Sequence, residues 1–217
     1  MSKTEIYRDV LNREQKELLP KLRFLKKEGF CLAGGTALAL QIGHRTSIDF
    51  DFYRQKGFQS GRLLEKFQKS LKGLSVDTEK EDTLILRFKN SGISLFKYDY
   101  PLVKPFIETK ELLLLSLEDI AAMKVVSLIQ RGKKRDFVDI YFLLGRFGLE
   151  KILQLTRAKY GRLYNEYAAL RALTYFVDAE SSDEASRFKL LAGISWEKIK
   201  NDIVKEISLF MQQKIMR

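Results

Sequence analysis

The chain contains little cysteine, histidine or proline. Its 217 residues include one cysteine, one histidine and three prolines. A single cysteine excludes an internal disulfide framework. Because Cys31 lies in the apolar run Phe30–Ala33, we expect a buried, inert thiol. We expect His44, the only histidine, to be a loop residue rather than a general base.

The sequence also lacks long apolar runs. The N-terminal stretch MSKTEIYRDVLNREQ is polar and has no apolar segment of the kind that a secretory signal peptide requires. The longest apolar runs elsewhere are far shorter than the roughly 20 residues that a membrane-spanning helix needs. We therefore expect a cytoplasmic protein with no membrane contact. Its length suits one large domain or two small lobes.

Acidic residues are outnumbered by basic ones. Lys and Arg total 39 against 28 Asp and Glu, which gives a formal net charge of +11 at pH 7. An excess of this size favours a polyanionic partner, either a nucleic acid or a nucleotide together with a nucleic acid. A basic, solvated surface without a partner would have the same composition, so the charge alone leaves both interpretations open.

Helix-like and strand-like patterns alternate in the first half of the chain, and helical patterns alone follow. Residues 83–88 and 93–99 alternate between apolar and polar positions around the turn signal Asn90-Ser91-Gly92, which predicts a β-hairpin. We expect an α/β (α+β) fold. An α/β lobe with a small mixed sheet, residues 1–110, would precede a helical lobe, residues 111–217.

The most informative stretch is residues 32–53, which read LAGGTALALQIGHRTSIDFDFY. An apolar lead-in reaches the turn Gly34-Gly35, and Thr36 opens a predicted helix that ends near Gly43. A short alternating strand, residues 47–52, follows. A glycine turn lets backbone N–H groups approach an anion, and the helix N-terminus behind it favours negative charge.

Two carboxylates occupy alternate positions of that strand. Successive strand side chains point to opposite faces, so Asp49 and Asp51 would share one face while Ile48, Phe50 and Phe52 face the core. Neighbouring carboxylates repel each other and resist burial, and a divalent cation offsets that repulsion. Oxygen ligands suit Mg2+, so we predict that the two aspartates bind Mg2+. A solvent-facing edge strand with two acidic residues is the alternative.

The order of glycine turn, helix, basic loop and D-x-D strand resembles the first motif of the nucleotidyltransferase superfamily. More narrowly, Gly-Gly-Thr followed by the R-x-S-x-D-x-D motif of residues 45–51 is similar to the AbiEii/AbiGii toxin family, of which the MenT-type toxins are relatives. The resemblance implies a nucleotidyltransferase fold for the first lobe. It also implies a nucleoside triphosphate (NTP) substrate whose phosphates rest near Gly34, Gly35 and Thr36.

The resemblance implies further roles around this motif. Arg45 would pair with the triphosphate or orient a carboxylate, and Ser47 would bind phosphate or satisfy backbone groups. Asp49 and Asp51 would hold the metal that bridges the phosphates. Many superfamily members take a third carboxylate from a later strand. Asp99, at the end of the predicted hairpin, is the positional candidate for a third metal ligand, with an ordinary turn residue as the alternative.

A second stretch resembles the same family. The pattern E-D-I-x-x-x-K at residues 118–124 is followed by R-x-x-x-R-D-x-x-D-I-Y at residues 131–141. The resemblance implies that Lys124 and an aspartate of the second helix belong to the active site. Lys124 would hold a phosphate as a point charge. Asp136 is our first choice and Asp139 our second, either to accept a proton from the attacking hydroxyl or to hold the lysine in place. A helix pair joined by surface salt bridges is the alternative.

The resemblance covers nearly the whole chain and implies an enzyme. It would transfer a nucleoside monophosphate from an NTP, with Mg2+, to an acceptor that we expect to be RNA, such as a tRNA end. The enzyme would be the toxin of a toxin–antitoxin pair whose antitoxin is a separate protein. Two other classes stay open. One is a nucleotidyltransferase that modifies a protein side chain or a small molecule, and the other is a catalytically inactive nucleotide- or nucleic-acid-binding module.

Overall fold

The structure, a computed structural model, describes residues 6–181 and 188–216. Over these residues the chain folds into two compact units. The sheet unit contains the residues up to Pro101 together with Pro105–Ser116. The helical unit contains Leu102–Lys104 together with the residues from Leu117 onward. Within the two described ranges, no helix is long and apolar enough to cross a membrane.

A seven-stranded mixed sheet forms the centre of the sheet unit. Its strands are β1 (Cys31–Ala33), β2 (Phe50–Arg54), β3 (Leu74–Lys80), β4 (Thr83–Phe88), β5 (Ser91–Lys97), β6 (Ile107–Glu108) and β7 (Leu113–Leu114). Their order in the sheet is β3-β4-β5-β2-β1-β7-β6. β2 is parallel to β5 and β1 is parallel to β7, whereas the other neighbours are antiparallel. The predicted α/β fold with a mixed sheet is therefore confirmed.

The two faces of β2 have different surroundings. Phe50 and Phe52 are fully buried, and apolar residues of β4 and β5 are buried with them. Asp51, which points to the opposite face, is in register with Ala33 of β1 and Ser94 of β5. The alternation of apolar and polar residues along β2 therefore places one face in the core and keeps the carboxylate out of it.

The structure describes four α-helices in the sheet unit, together with two short 3-10 helices, Arg8–Val10 and Leu19–Leu22. The α-helices are α1 (Arg13–Leu18), α2 (Phe24–Lys27), α3 (Gly34–Ile42) and α4 (Ser60–Ser70). Asn12 caps α1 through a capping box with Gln15. The ring of Phe24 packs edge-on against that of Phe67, with 5.0 Å between ring centroids, so α2 and α4 are neighbours.

Helices alone make up the described regular structure of the helical unit, apart from one bridge residue. The α-helices are α5 (Leu117–Arg131), α6 (Lys134–Phe147), α7 (Leu149–Tyr160), α8 (Glu166–Thr174), α9 (Val177–Ser181) and α10 (Trp196–Ile215), and a 3-10 helix, Gly161–Leu163, follows α7. α5 packs against α6, α7 and α8. Residues 120–122 and Val125 of α5 are fully buried. The apolar face of α5 therefore supplies the centre of this core.

A buried ion pair ties the start of α5 to α7. The side chains of Asp119 and Lys159 are both fully buried, and Nζ lies 2.7 Å from Oδ1. The same carboxylate accepts hydrogen bonds from the backbone N–H groups of Val103 and Lys104, each at 3.0 Å. These bonds occupy both carboxylate oxygens and so offset part of the cost of removing two charges from water.

The predicted hairpin is confirmed, but its turn is shorter than the sequence indicates. Ser91 and Gly92 belong to β5 rather than to the turn, which consists of Lys89 and Asn90. Lys89 adopts a φ of +54°, in the left-handed region that such a tight turn requires. Cys31 is buried, as predicted.

The strand predicted at residues 47–52 begins later in the structure, because β2 starts at Phe50. The carbonyl of Ile48 accepts a hydrogen bond from Nε2 of Gln15 at 2.9 Å, and the carbonyl of Asp49 accepts one from the hydroxyl of Thr36. Since these two carbonyls bond to side chains, the sheet ladder begins only after them. α3 begins at Gly34 rather than at Thr36.

Removal of the buried carboxylate of the α5–α7 pair tests its contribution to stability. Asp119→Ala leaves the ammonium of Lys159 buried without its ion-pair partner, so we expect the free energy of unfolding to fall by about 3–5 kcal/mol. Glu17→Ala, which breaks the exposed Arg13–Glu17 pair, should have a much smaller effect. Denaturant unfolding of the three proteins measures the difference. Equal effects of the two substitutions would contradict this account of the buried pair.

Candidate active site

The connection between β1 and α3 brings the backbone close to a carboxylate. Ala33 is extended, and Gly34 has a φ of +64°, a left-handed value that residues with side chains rarely adopt. A Cβ on Gly34 would lie 3.0 Å from Oδ2 of Asp51. Glycine at this position therefore permits both the sharp turn and the close approach of the carboxylate.

Gly35 leaves room for a buried guanidinium group. A Cβ on Gly35 would come closer to Nη2 of Arg45 than the 3.0 Å that Cβ atoms keep from other atoms. Arg45 is only 2% exposed, and its Nη1 donates a hydrogen bond to the carbonyl of Thr46 at 2.9 Å. A fixed positive charge thus lies against the first turn of α3.

His44, the residue before Arg45, is buried and lies outside helices and strands, so its predicted loop position is confirmed.

Asp49 is held immediately before β2. The hydroxyl of Thr36 donates to its backbone carbonyl, and the N–H of Gly92 donates to its Oδ1 at 3.1 Å. A Cβ on Gly92 would lie 2.9 Å from that oxygen, so glycine is required for this approach. Oγ of Ser47 lies 2.7 Å from Oγ1 of Thr36. The two hydroxyl residues therefore position the acidic segment, while their contact with a phosphate stays a prediction.

The donor set of Asp49 and Asp51 fits a Mg2+ ion that shares its ligands with a substrate. Their carboxylate oxygens lie in space that Gly92 and Gly34 leave open, and hard oxygen ligands suit this ion. Among residues 6–181 and 188–216, no three Asp, Glu, His or Cys side chains cluster in a way that could hold a metal. Mg2+ is commonly bound by one or two carboxylates together with water and substrate phosphates. The pair therefore suits a metal that binds together with a nucleotide.

Asp99 does not join the pair, contrary to the prediction of a third carboxylate at this position. β5 runs parallel to β2, with Ser94 beside Asp51 and Lys97 beside Arg54. Asp99 therefore lies past the far end of this register, about 16 Å of extended chain beyond Ser94. Its carboxylate pairs instead with Lys97 at 3.0 Å. The position next to Asp51 on β5 carries a hydroxyl rather than a carboxylate.

A second charged cluster lies within the helical unit. Nζ of Lys124 contacts two fully buried carboxylates of α6, Oδ1 of Asp136 at 2.8 Å and Oδ2 of Asp139 at 2.6 Å. Arg131 makes a bidentate pair with Asp136, with Nε 2.9 Å from Oδ2 and Nη2 3.1 Å from Oδ1. The three-residue spacing of the two aspartates places both on one face of α6, as predicted.

The partners of Asp136 determine its protonation state. Burial alone would raise the pKa of Asp136, but the adjacent Lys124 and Arg131 outweigh burial, so the pKa lies below its ordinary value. A carboxylate that keeps its charge so strongly is a poor proton acceptor at neutral pH. Of the two roles predicted for this residue, the geometry favours holding Lys124 in place. Asp139 shares that contact.

Two contacts of the acidic segment, residues 47–51, could not be predicted from the sequence. Gly92 stands in a turn-like triplet, which conceals its contact with Asp49 on the neighbouring strand. Gln15 bonds a carbonyl that lies 33 residues later in the chain. Neither contact has a local signal, because each depends on the pairing of distant segments.

Substitution of the second glycine tests the fit of the buried guanidinium. Gly35→Ala should displace Arg45 and lower the free energy of unfolding by about 1–3 kcal/mol, because the new methyl group overlaps a packed side chain. The control is Gly145→Ala in α6, where a Cβ meets nothing within 4 Å. Alanine should stabilise that helix by about 0.5–1 kcal/mol. Denaturant unfolding gives both values, and stabilisation by Gly35→Ala would contradict the proposed fit.

The lowered pKa of Asp136 predicts a pH dependence of stability. Because the pKa is lower in the folded state, the ionised carboxylate stabilises the protein above its unfolded pKa of about 3.9. This stabilisation is lost as the pH falls through the folded pKa. Asp136→Asn should therefore cost about 3 kcal/mol at pH 7, with a deficit that narrows below about pH 4. Unfolding measured from pH 7 to pH 3 checks this, and a constant deficit would contradict it.

Known proteins share both the sequence pattern and the fold of this chain. A family model described as the nucleotidyl transferase AbiEii toxin of a type IV toxin–antitoxin system matches residues 18–105 and 94–210. An uncharacterized protein of Aquifex aeolicus is 37% identical over 179 residues, which cover 78% of this chain and 84% of that protein.

Solved structures resemble the whole chain at low sequence identity. A candidate nucleotidyltransferase from H. pylori has a TM-score of 0.64 at 17% identity and covers 94% of this chain and 97% of its own. MenT4, a nucleotidyltransferase toxin from Mycobacterium tuberculosis, has a TM-score of 0.60 at 15% identity and covers 90% of this chain and 82% of its own. At these identities the similarity shows a shared fold, which is the nucleotidyltransferase fold expected from the motifs.

The family match spans both units and includes the glycine turn, the D-x-D segment and the buried lysine cluster. The expected nucleotidyltransferase activity and family resemblance are thereby confirmed. The chain belongs to the AbiEii nucleotidyltransferase toxin family.

Proposed function

We propose that this nucleotidyltransferase uses Mg2+ and an NTP to attach a nucleoside monophosphate to an RNA hydroxyl, and that it acts as the toxin of a pair whose antitoxin is a separate protein. The observation that carries the proposal is the carboxylate pair Asp49 and Asp51, each held against a glycine of the sheet unit. Two carboxylates at alternate positions of one segment supply the hard oxygen ligands that Mg2+ prefers.

The residues around the pair have distinct parts in this proposal. Asp49 and Asp51 would hold the metal, which supplies charge stabilisation for the phosphates and for the leaving pyrophosphate. Thr36 and Ser47 keep the acidic segment in position through their hydroxyl contacts. Arg45 adds a buried positive charge at the start of α3, where a negatively charged phosphate is favoured.

The transfer itself is a substitution at phosphorus. The acceptor hydroxyl oxygen forms a bond to the α-phosphorus, the bond from that phosphorus to the bridging oxygen breaks, and pyrophosphate leaves while the hydroxyl proton passes to solvent. Lys124 would contribute a fixed positive charge for phosphate, oriented by Asp136 and Asp139. Since Asp136 already has two cationic partners, we assign it orientation rather than proton transfer.

The net charge of +11 supports RNA as the acceptor. A protein side chain or a small molecule as acceptor would need no such excess. Binding of an RNA acceptor should weaken steeply as the salt concentration rises, because phosphate contacts release counterions. Binding of a small, uncharged acceptor should not.

The experiment uses the pure protein with Mg2+, total RNA and each of the four α-labelled NTPs in turn. We expect label on RNA with a preferred NTP. Asp49→Asn and Asp51→Asn should each lower the rate by about 100-fold or more, because the metal loses a charged ligand. Asp99→Asn is the matched control and should keep the activity, since that carboxylate lies outside the pair.

Each other outcome changes the proposal in a defined way. Label on protein instead of RNA would replace the acceptor with a side chain. Full activity of Asp49→Asn would refute the metal assignment. Absence of label from every substrate, with nucleotide binding retained, would favour a binding module over an enzyme acting on these acceptors.

A further inference from the structure

A short segment of the sheet unit holds a large share of the excess positive charge. Residues 54–72 include six basic residues and one acidic residue, an excess of five in a chain whose net charge is +11. This segment follows the D-x-D strand directly and includes α4. The excess of positive charge is therefore concentrated in one segment of the sheet unit.

The basic residues of α4 lie on its outer face. Arg62, Lys66 and Lys69 are four and three residues apart, a spacing that places them along one side of a helix. Leu63 and Phe67, on the inner side, are buried in the core. The helix is thus amphipathic, with an apolar inner face and a basic outer face.

Several of these cations form no ion pair with the protein. Lys66 pairs with Glu28 of the neighbouring chain segment. Arg62, Lys69 and Lys72 are exposed, and none of them forms an ion pair within the described residues. Glu65 is the only acidic residue on the helix. Three exposed cations, Arg62 and Lys69 on α4 and Lys72 just after it, therefore form a basic strip, which we call the α4 basic face. Arg62 also interacts electrostatically with Glu28.

A cavity of about 690 Å³ adjoins the start of α4, and its lining excludes it as the anion site. Arg54 and Arg62 line it, but so do Glu28, Glu81 and Asp82. The acidic groups would repel a phosphate that entered the cavity. An anionic ligand is therefore favoured along the outside of the helix rather than inside the cavity.

The chemistry of the α4 basic face fits a nucleic acid backbone better than a protein. Protein interfaces depend on buried aromatic and large apolar anchors. Within residues 54–72, no large apolar side chain is among the exposed ones. Contact with phosphates needs only cations and is independent of base sequence.

We propose that the α4 basic face binds the phosphate backbone of the acceptor RNA. This inference rests on the proposed function, because it assigns a docking surface to the RNA that receives the nucleotide. The face belongs to the same compact unit as Asp49 and Asp51 and follows Asp51 along the chain after a short connection. Backbone contacts there fix the position of the RNA without reading its sequence.

The test measures equilibrium binding of bulk tRNA at several salt concentrations, with no catalysis required. The triple variant Arg62→Gln/Lys69→Gln/Lys72→Gln should make the slope of log K against log salt shallower by about two to three units, because three phosphate contacts are lost. The control is Arg146→Gln/Lys151→Gln/Lys205→Gln, which removes the same charge from exposed sites of the helical unit. It should leave the slope close to that of the wild-type protein.

A substitution that removes a negative charge from α4 provides a second test. Glu65→Gln removes the acidic residue from α4 and should tighten tRNA binding several-fold at low salt. NTP binding should be unchanged in every variant, since none of the altered residues belongs to the carboxylate pair. In transfer assays the triple variant should raise KM for RNA and leave kcat near the wild-type value.

The outcomes separate this inference from the proposed function. If wild-type protein binds tRNA and both triple variants bind it equally, the α4 basic face is not the docking surface, while RNA remains the acceptor. If wild-type protein neither binds nor labels RNA, the RNA acceptor itself is refuted, and this inference with it. If the α4 variant loses binding to anionic lipid vesicles but not to tRNA, the face serves a membrane surface and the RNA assignment is overturned.

Discussion

Three glycines set the positions of the charged groups at the candidate active site. At each one, a Cβ atom would meet a charged side chain at close contact or closer. The three pairs are Gly34 with Asp51, Gly35 with Arg45 and Gly92 with Asp49. The first two glycines open α3, and the third lies on the parallel neighbour of β2. The site therefore depends on glycines, which have no side chain, in two segments that only the folded sheet brings together.

The two units stabilise buried charge in different ways. In the sheet unit Asp49 and Asp51 are only half-buried, and glycines lie against both carboxylates. In the helical unit the carboxylates are fully buried and already have cationic partners within that unit, as in the pairs Lys124–Asp136 and Lys159–Asp119. Buried pairs of this kind are costly to break and hold helices in a fixed register. The helical cluster thus suits orientation of a lysine better than exchange of a proton.

Residue order alone could predict part of this arrangement. The alternation along β2 places Asp51 on the face opposite the buried Phe50 and Phe52, and the three-residue spacing of Asp136 and Asp139 places both against Lys124. The start of β2 could not be predicted, because it depends on a hydrogen bond from Gln15, a residue far away in sequence. The prediction of Asp99 as a third metal ligand failed for a similar reason. Its place at a strand end is visible in the sequence, but the parallel register that carries it away from Asp51 is not.

The central claim is that Asp49 and Asp51 together bind a divalent metal with the triphosphate. The most direct measurement is a crystal structure with Mn2+ and a non-hydrolysable NTP analogue, in which anomalous scattering locates the metal. The account predicts a metal peak within about 2.0–2.3 Å of carboxylate oxygens from both aspartates, with phosphate oxygens completing its coordination. A triphosphate bound elsewhere, or a metal that contacts neither aspartate, would contradict it.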